Sequence, residues 1–155
     1  MPVTYLTALP GLPDPARQGE FYRDVALKRF LAWVVDVILV SLLTGLVILA
    51  TAGIGFFFAA FIFLTIDFLY RWIGLTRKSA TMGQRLVSLE YRRFTGERFD
   101  VLTAFLHTLG YMFCFAGTVG VLQLVSIATV LLTPKRQNLP DLLLGSAAIN
   151  RSAEP

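Results

Sequence analysis

The sequence has few charged residues, one histidine and one cysteine, and these shortages exclude several kinds of protein. Only 15% of its residues are charged, whereas a soluble domain carries about a quarter. The single Cys114 excludes an internal disulfide and, between two phenylalanines, is expected to be an inert small hydrophobe. Apolar residues make up 55% of the chain and are gathered into uninterrupted runs. The composition therefore predicts an integral membrane protein.

The residue patterns of soluble enzymes are also missing from the sequence. There is no glycine-rich phosphate loop, no set of His or Cys at metal-ligand spacing, and no nucleophile with a base in reach. We therefore expect no enzyme activity, no cofactor and no metal site. A net charge of +4 would suggest a nucleic-acid partner in a soluble protein. Membrane topology explains the basic residues better, so no nucleic-acid partner is expected.

Two apolar runs predict the first two membrane spans. Residues 30–50 and 56–74 are each long enough, at about 1.5 Å per residue, to cross a hydrocarbon core of roughly 30 Å. Residues 51–55 contain two glycines and indicate the turn between the spans. Residues 1–24 are polar and rich in proline, and they lack a basic start followed by an apolar run. They predict an extended cytoplasmic arm without a cleavable signal peptide.

Residues 75–100 form a different kind of segment, in which polar and apolar positions alternate and charges are frequent. Ser79 is a candidate cap for a short helix in which Met82, Leu86 and Leu89 fall near one face. The pattern predicts a cytoplasmic interfacial segment that lies along the lipid head groups between the second and third spans.

Residues 101–132 allow two interpretations. As one helix they would be about 48 Å long, well beyond a bilayer core, whereas as two spans, 101–117 and 119–133, each is rather short. Charge placement favours two spans. All fourteen Lys and Arg residues fall in three stretches, 17–29, 71–98 and 135–151. Four crossings place all of them on one side, whereas three put the last stretch outside, so the positive-inside rule favours four, with both termini cytoplasmic.

The predicted fold is therefore an all-α membrane protein, a small transmembrane helical bundle with four crossings favoured over three. Its membrane domain covers residues 25–150 and is followed by a short tail, 151–155. Besides the bilayer itself, we expect anionic lipid to associate with the basic stretch 71–98 on the cytoplasmic side.

Three stretches of the sequence resemble the motifs of one family. They are, in order, Arg29 to Asp36, then Ser79 to Leu86 with Thr81, Gly83 and Arg85, and finally Thr133 to Ser146 with Asp141 and Gly145. In content and order they resemble the RDD family of bacterial membrane proteins, and the resemblance covers residues 25–150. It implies a multi-pass protein of the bacterial cytoplasmic (inner) membrane. The activity it implies is transport, including cation–proton exchange, or a role in membrane assembly.

The sequence departs from the family pattern at four positions. Pro140 stands where the family usually has histidine, Ser146 where it has threonine, and Gln84 where lysine is common. His107 lies near the start of the third span, where the family often places an arginine. A positive charge at that point would require His107 to be protonated.

Two acidic residues, Asp36 and Asp67, fall inside the first two predicted spans, at similar depth in an antiparallel hairpin. Arg71 follows Asp67 by four residues and shares its helical face. One interpretation makes both acids structural: Asp67 would pair with Arg71, and Asp36 with Arg29 or the neighbourhood of Asp141. The other makes Asp36 and Asp67 a shared cation or proton site, because two carboxylates in a poorly hydrated site cannot both ionise cheaply.

Asp141 follows Pro140 in a segment too short to span a membrane. It is expected either to cap a terminal helix over the leucines that follow or to clamp Arg29, and the clamp requires the four-crossing arrangement. His107 is expected to be a hydrogen-bonded structural group rather than a proton relay.

Two functions stay open at this point. One is a small cation/proton transporter, expected to be a homo-oligomer because four short helices offer little interior for a pathway. The other is a non-transporting accessory or scaffold protein that binds a membrane partner through its cytoplasmic face. The pair of intramembrane acids favours transport.

Overall fold

The structure is a computed structural model, and it describes residues 11–118 and 120–151. The described chain is mostly helical, as the composition predicts. The first ten residues of the predicted arm, residues 152–155 of the predicted tail, and Val119 lie outside the described residues. The rest of the arm contains a 3₁₀ turn, Gly19–Tyr22, that leads into the first long helix.

Two long apolar helices form the body of the fold. Helix α1 spans Val25–Ala50 and helix α2 spans Ala59–Lys78, which makes them about 39 Å and about 30 Å long. They pack against each other and are joined through Gly53, whose φ of 86° is left-handed, and a 3₁₀ turn, Ile54–Phe58. By length and composition both helical segments are able to cross a membrane. The first predicted span, 30–50, falls within α1, and the second, 56–74, begins in the 3₁₀ turn and continues into α2.

The segment after α2 forms a short helix and a strand. Helix α3, Met82–Leu86, begins at Thr81, whose side chain takes part in a capping box. Strand β1 covers Leu89–Arg93. The prediction that Ser79 caps a helix reaching Leu89 is therefore wrong, because Thr81 is the cap and Leu89 already belongs to the strand.

Two shorter apolar helices follow. Helix α4, Val101–Met112, starts at Asp100, whose carboxylate accepts a 2.6 Å hydrogen bond from a backbone N–H of the first turn. It continues into a π-helical turn, Phe113–Gly117, and helix α5 spans Val121–Leu132. The chain turns before α5 at Gly120, whose φ of 80° lies in the left-handed region that glycine adopts at little cost. This region is thus two helices rather than one.

The chain ends in a helix and a strand that return to the earlier segments. Helix α6 spans Leu139–Leu144 and strand β2 spans Ser146–Asn150. Strand β2 pairs antiparallel with β1, in a register that places Ala147 opposite Arg92. The all-α prediction did not include this two-stranded sheet, because its strands are far apart in sequence and each is only five residues long.

The apolar core lies around the sheet, where α1 begins, α2 ends and α4 begins; we call this part of the molecule the sheet end. Its core residues are Val25, Leu75, Leu89, Tyr91, Phe99, Ala104 and Ala148. Elsewhere the long helices and the turn between them expose large apolar side chains, such as Leu49 of α1 and Phe57 of the turn, which are 76% and 86% exposed. Apolar surface of this kind marks contact with a membrane or another protein.

Candidate functional site

Asp36 is held inside the protein by three hydrogen-bond donors. Its Oδ1 accepts from the Tyr70 hydroxyl at 2.5 Å and from the backbone N–H of Gly83 at 2.9 Å, and its Oδ2 accepts from the Thr81 hydroxyl at 2.7 Å. The donors belong to α2 and to the start of α3. The Asp36 carboxylate therefore fastens α3 to both long helices, and its own desolvation is offset by these bonds.

The contact between α3 and α1 depends on the absence of a side chain at Gly83. A Cβ placed there would lie 2.2 Å from the carbonyl oxygen of Ala32 and 2.6 Å from Oδ1 of Asp36. Ala32 lies one turn before Asp36 and is itself buried. The small residues Ala32 and Gly83 thus allow the backbones to approach until the Gly83 N–H reaches the carboxylate.

Arg71 contacts both acids of the predicted spans. Its Nε lies 2.9 Å and 3.1 Å from the two carboxylate oxygens of Asp67, and its Nη1 lies 3.9 Å from Oδ2 of Asp36. The guanidinium also lies over the ring of Tyr111, with its Cζ 4.0 Å from the ring centre. The Tyr111 hydroxyl accepts from Arg71 at 3.3 Å and from the indole N–H of Trp33 at 3.2 Å. One guanidinium thus serves two carboxylates.

A second buried carboxylate, Asp141, lies at the sheet end. Its Oδ2 binds a guanidinium nitrogen of Arg29. Its Oδ1 lies 2.9 Å from Nε2 of His107 and accepts from the Ser146 hydroxyl at 3.1 Å. Burial by itself would raise the pKa of Asp141, but the Arg29 charge and the bond to His107 hold that pKa below its ordinary value of 3.8. Asp141 is therefore a charged partner at neutral pH.

Arg29 also touches the sheet. Its Nη1 donates to the Tyr91 hydroxyl at 3.2 Å, and its Cζ lies 5.2 Å from the centre of the Tyr91 ring. Burial raises the pKa of Tyr91 to about 12, so this hydroxyl stays neutral. Arg29 thus joins α1 to α6 through Asp141 and to β1 through Tyr91.

The buried charged side chains form two clusters, one of Asp36, Asp67 and Arg71 and the other of Asp141, Arg29 and His107. Across the two clusters the carboxylates outnumber the arginines. The buried carboxylates of these clusters are Asp36, Asp67 and Asp141, with 1%, 3% and 0% of each residue exposed. Two arginines, Arg29 and Arg71, face them, together with His107. The set therefore has three carboxylates and two guanidinium groups, with the imidazole of His107 as a further partner of Asp141. Asp36 is the acid whose nearest cationic nitrogen is farthest away, at 3.9 Å, against 2.9 Å for Asp67.

Both clusters border one cavity of about 580 Å³ between the helices. Its polar lining includes Arg29, Asp36, Arg71, Thr81, Gln84, Tyr91, His107, Tyr111, Gln123, Ser126 and Asn138. Apart from Thr108, the remaining lining is mostly apolar and comes mainly from α1 and α5. A mostly apolar cavity with a few convergent polar groups is the usual form of a small-molecule site. Among the described residues, no group of three or more His, Cys, Asp or Glu is arranged to hold a metal ion.

The structure unites most of the residues that the sequence singles out. Arg71 pairs with Asp67, and Arg29 pairs with Asp141. The N-cap of α6 is Asn138 rather than Asp141, whose side chain accepts from the Asn138 N–H as the other half of a capping box. The remaining two motif residues have no part in the clusters: the Arg85 side chain is exposed, and Gly145, with a φ of 62°, ends α6.

Sequence reasoning missed the tyrosines and the hydroxyl that complete both clusters. Tyr70, Tyr91 and Tyr111 each bind one of the charged side chains, and Ser146 binds Asp141. Tyr70 and Arg71 are adjacent in the sequence, which offered a weak signal. Ser146 lies five residues after Asp141, so that contact is local. The tyrosine contacts join distant segments, and no local spacing indicates them.

One comparison with known proteins agrees with the family resemblance of the three sequence motifs. No curated protein and no solved structure matches the chain. The sequence model described as RDD family matches residues 25–145, which is most of the chain and contains both carboxylate clusters. The chain belongs to the RDD family.

Proposed function

We propose that the chain crosses the bacterial cytoplasmic (inner) membrane four times, with both termini on the cytoplasmic side. The pairing of β1 with β2 supports this topology. Strand β1 precedes the α4–α5 hairpin and β2 follows it, so the hairpin has to return to the side from which it entered. The pairing of Arg29 with Asp141 also supports it, because three crossings would put these two residues on opposite sides of the membrane.

Contacts of the N-terminal segment support the same side for the start of the chain. The Asn150 side chain accepts from Lys28 Nζ at 2.8 Å and donates to the carbonyls of Glu20 and Arg23, each at 2.8 Å. The three basic stretches of the sequence are therefore gathered at the sheet end. The positive-inside rule assigns that end to the cytoplasm. There the exposed basic residues of 71–98 would attract anionic lipid.

We propose, as its activity, transport of a small cation in exchange for protons, with Asp36 as the exchangeable site. The observation that carries this proposal is that three buried carboxylates face two arginines, and that Asp36, the carboxylate farthest from a guanidinium, lines the cavity. A buried negative charge without an equal cation is costly, and a proton or a small cation at that point removes the cost.

The surroundings of Asp36 suggest how the two states would differ. In the charged state, Asp36 accepts from Tyr70, Thr81 and Gly83 and shares Arg71 with Asp67. A protonated Asp36 would become a donor, so a hydroxyl partner would have to rotate and Arg71 would be left to Asp67. The α3 contact depends on those bonds, and its position would change with the state of Asp36.

Flux through proteoliposomes tests the transport proposal. Vesicles holding the purified chain and a trapped pH-sensitive dye would receive a sodium or potassium gradient. We expect proton flux from the unaltered chain and none from Asp36→Asn, which keeps the shape of the side chain but cannot exchange a proton. Glu97→Gln changes an exposed acid and should leave the flux unchanged. Equal flux from Asp36→Asn and the unaltered chain would exclude Asp36 as the exchangeable site.

A non-transporting accessory role is the second candidate. The direct ion pairs Arg29–Asp141 and Arg71–Asp67 favour it, because buried pairs of this kind fix elements that a transporter would need to move. Absence of flux from a folded chain, together with a membrane partner that copurifies with it, would favour this role. A homo-oligomer is compatible with either function.

A further inference from the structure

The cavity opens sideways between α1 and α5. Helix α5 packs mainly against the π-helical turn and α6, and its face toward α1 lines the cavity. The lining residues at this opening are themselves exposed: Leu27 by 59% and Phe30 by 57% on α1, Ile127 by 49% and Leu131 by 58% on α5. In a membrane this gap faces the lipid, so apolar chains of the bilayer reach the cavity without crossing water.

Two buried polar atoms, on residues that line the cavity, have no hydrogen-bond partner among the described residues. They are Nε of Arg29, which is a donor, and Oε1 of Gln123, which is an acceptor. Both residues line the cavity. Buried polar groups in proteins nearly always have a partner, and those that lack one call for a ligand, an ion or water. An occupant with one hydrogen-bond acceptor for Arg29 Nε and one donor for Gln123 Oε1 would supply both missing partners.

The charges at this polar interior disfavour an anionic occupant. The Arg29 guanidinium already binds Asp141, and that of Arg71 already binds Asp67. The lining also includes Asp36, so a second uncompensated negative charge would be added next to the first. An uncharged head group with a carbonyl and a hydroxyl satisfies both free atoms without this repulsion.

The volume limits the size of the occupant. About 580 Å³ lies within the range of pockets that hold one drug-sized molecule. A single-chain amphiphile whose tail leaves through the lateral opening fits such a space.

We infer that this cavity binds one uncharged, single-chain amphiphile from the bilayer, with its hydroxyl- and carbonyl-bearing head at Arg29 and Gln123 and its tail between Phe30 and Leu131. The inference goes beyond the proposed transport and does not depend on it, because binding is measured without any flux. A monoacylglycerol has this chemistry and serves as the probe.

The test uses the full chain in nanodiscs and a monoacylglycerol that carries a photoreactive diazirine in its acyl chain. After illumination, mass spectrometry locates the labelled peptides. We expect saturable labelling of residues 27–33 and 123–131 that excess unlabelled monoacylglycerol removes. A photoreactive phosphatidylglycerol should label these residues no more than the outer helix faces. Labelling by the anionic probe alone, or labelling without saturation, would overturn the inference. A second copy of the chain that covers the opening and prevents labelling would overturn it as well.

Two variants locate the site. Leu131→Trp fills the opening and should remove the saturable labelling, whereas the neighbouring Leu132→Trp, on a side chain 82% exposed outside the cavity, should leave it unchanged. Gln123→Leu removes the acceptor without breaking a bond in the protein and should weaken binding about five-fold, the effect of one hydrogen bond. Equal labelling of both tryptophan variants, or an unchanged affinity in Gln123→Leu, would contradict the site.

Discussion

Replacing Gly83 by alanine should break the packing of α3 on α1. The added Cβ would lie 2.2 Å from the Ala32 carbonyl oxygen and 2.6 Å from Oδ1 of Asp36, and no rotation of the side chain can relieve a clash at Cβ. Overpacking of this kind costs about 1–3 kcal/mol. Separation of the Gly83 N–H from the charged carboxylate costs about 1.5–3 kcal/mol more. We therefore expect Gly83→Ala to lower the free energy of unfolding by about 3–6 kcal/mol.

The assay is thermal unfolding of the purified chain in detergent. At about 2–4 °C per kcal/mol for a chain of this size, the Tm of Gly83→Ala should fall by at least about 6 °C. Gly45→Ala is the matched control, because nothing lies within 4 Å of a Cβ at that position of α1. Alanine is the better helix former, so this control should be neutral or slightly more stable. Equal Tm values for the two variants would refute the proposed contact between Gly83 and Asp36.

Two other predictions concern Asp141 and Asp100. Because the folded pKa of Asp141 lies below the ordinary 3.8, its carboxylate stabilises the fold above about pH 4, and this contribution is lost as the pH falls through the folded pKa. Asp141→Asn should remove that acid dependence, measured as Tm against pH, and an unchanged pH profile would contradict the pairing. At neutral pH the same variant should lower the free energy of unfolding by about 3–5 kcal/mol, because Arg29 is left unpaired. Asp100→Ala should cost about 1 kcal/mol through loss of the α4 cap, whereas Glu97→Gln should change the Tm little.

The helices could be predicted because their signals are local. The long apolar runs mark α1 and α2, and the glycines around residue 120 mark the break before α5. The pair Asp67–Arg71 also follows from spacing alone, since residues four apart share a helix face. In each case the chemistry that determines the structure lies within a few turns of one segment.

The sheet and most of each cluster could not be predicted in this way. The apolar–polar alternation that begins β1 runs through the whole segment 75–100 and does not single out a strand, and its partner β2 lies near the end of the chain. The donors of Asp36 come from three separate positions in α2 and α3, and only the folded chain brings them together.

Gly83 shows that a sequence motif can mark a residue without giving the structural reason for it. A glycine at that position resembles the family pattern, but its reason is physical and non-local: the carbonyl of Ala32 occupies the space of a side chain. The pairing of Arg29 with Asp141 was one of two options for Asp141, because it depends on the number of membrane crossings. The features that could not be predicted from the sequence therefore depend on contacts between distant segments.

In the proposed topology the segments before and after the α4–α5 hairpin meet on one side of the membrane, and disulfide cross-linking across the sheet tests this arrangement. In a Cys114→Ser background, cysteines at Arg92 and Ala147, which oppose each other in the register, should cross-link in intact membranes on mild oxidation. Cysteines at Arg92 and Ala148 face opposite sides of the sheet and should not. Absence of the first cross-link, with the cysteine at 147 labelled by an impermeant reagent from the opposite side to that at 92, would contradict the account.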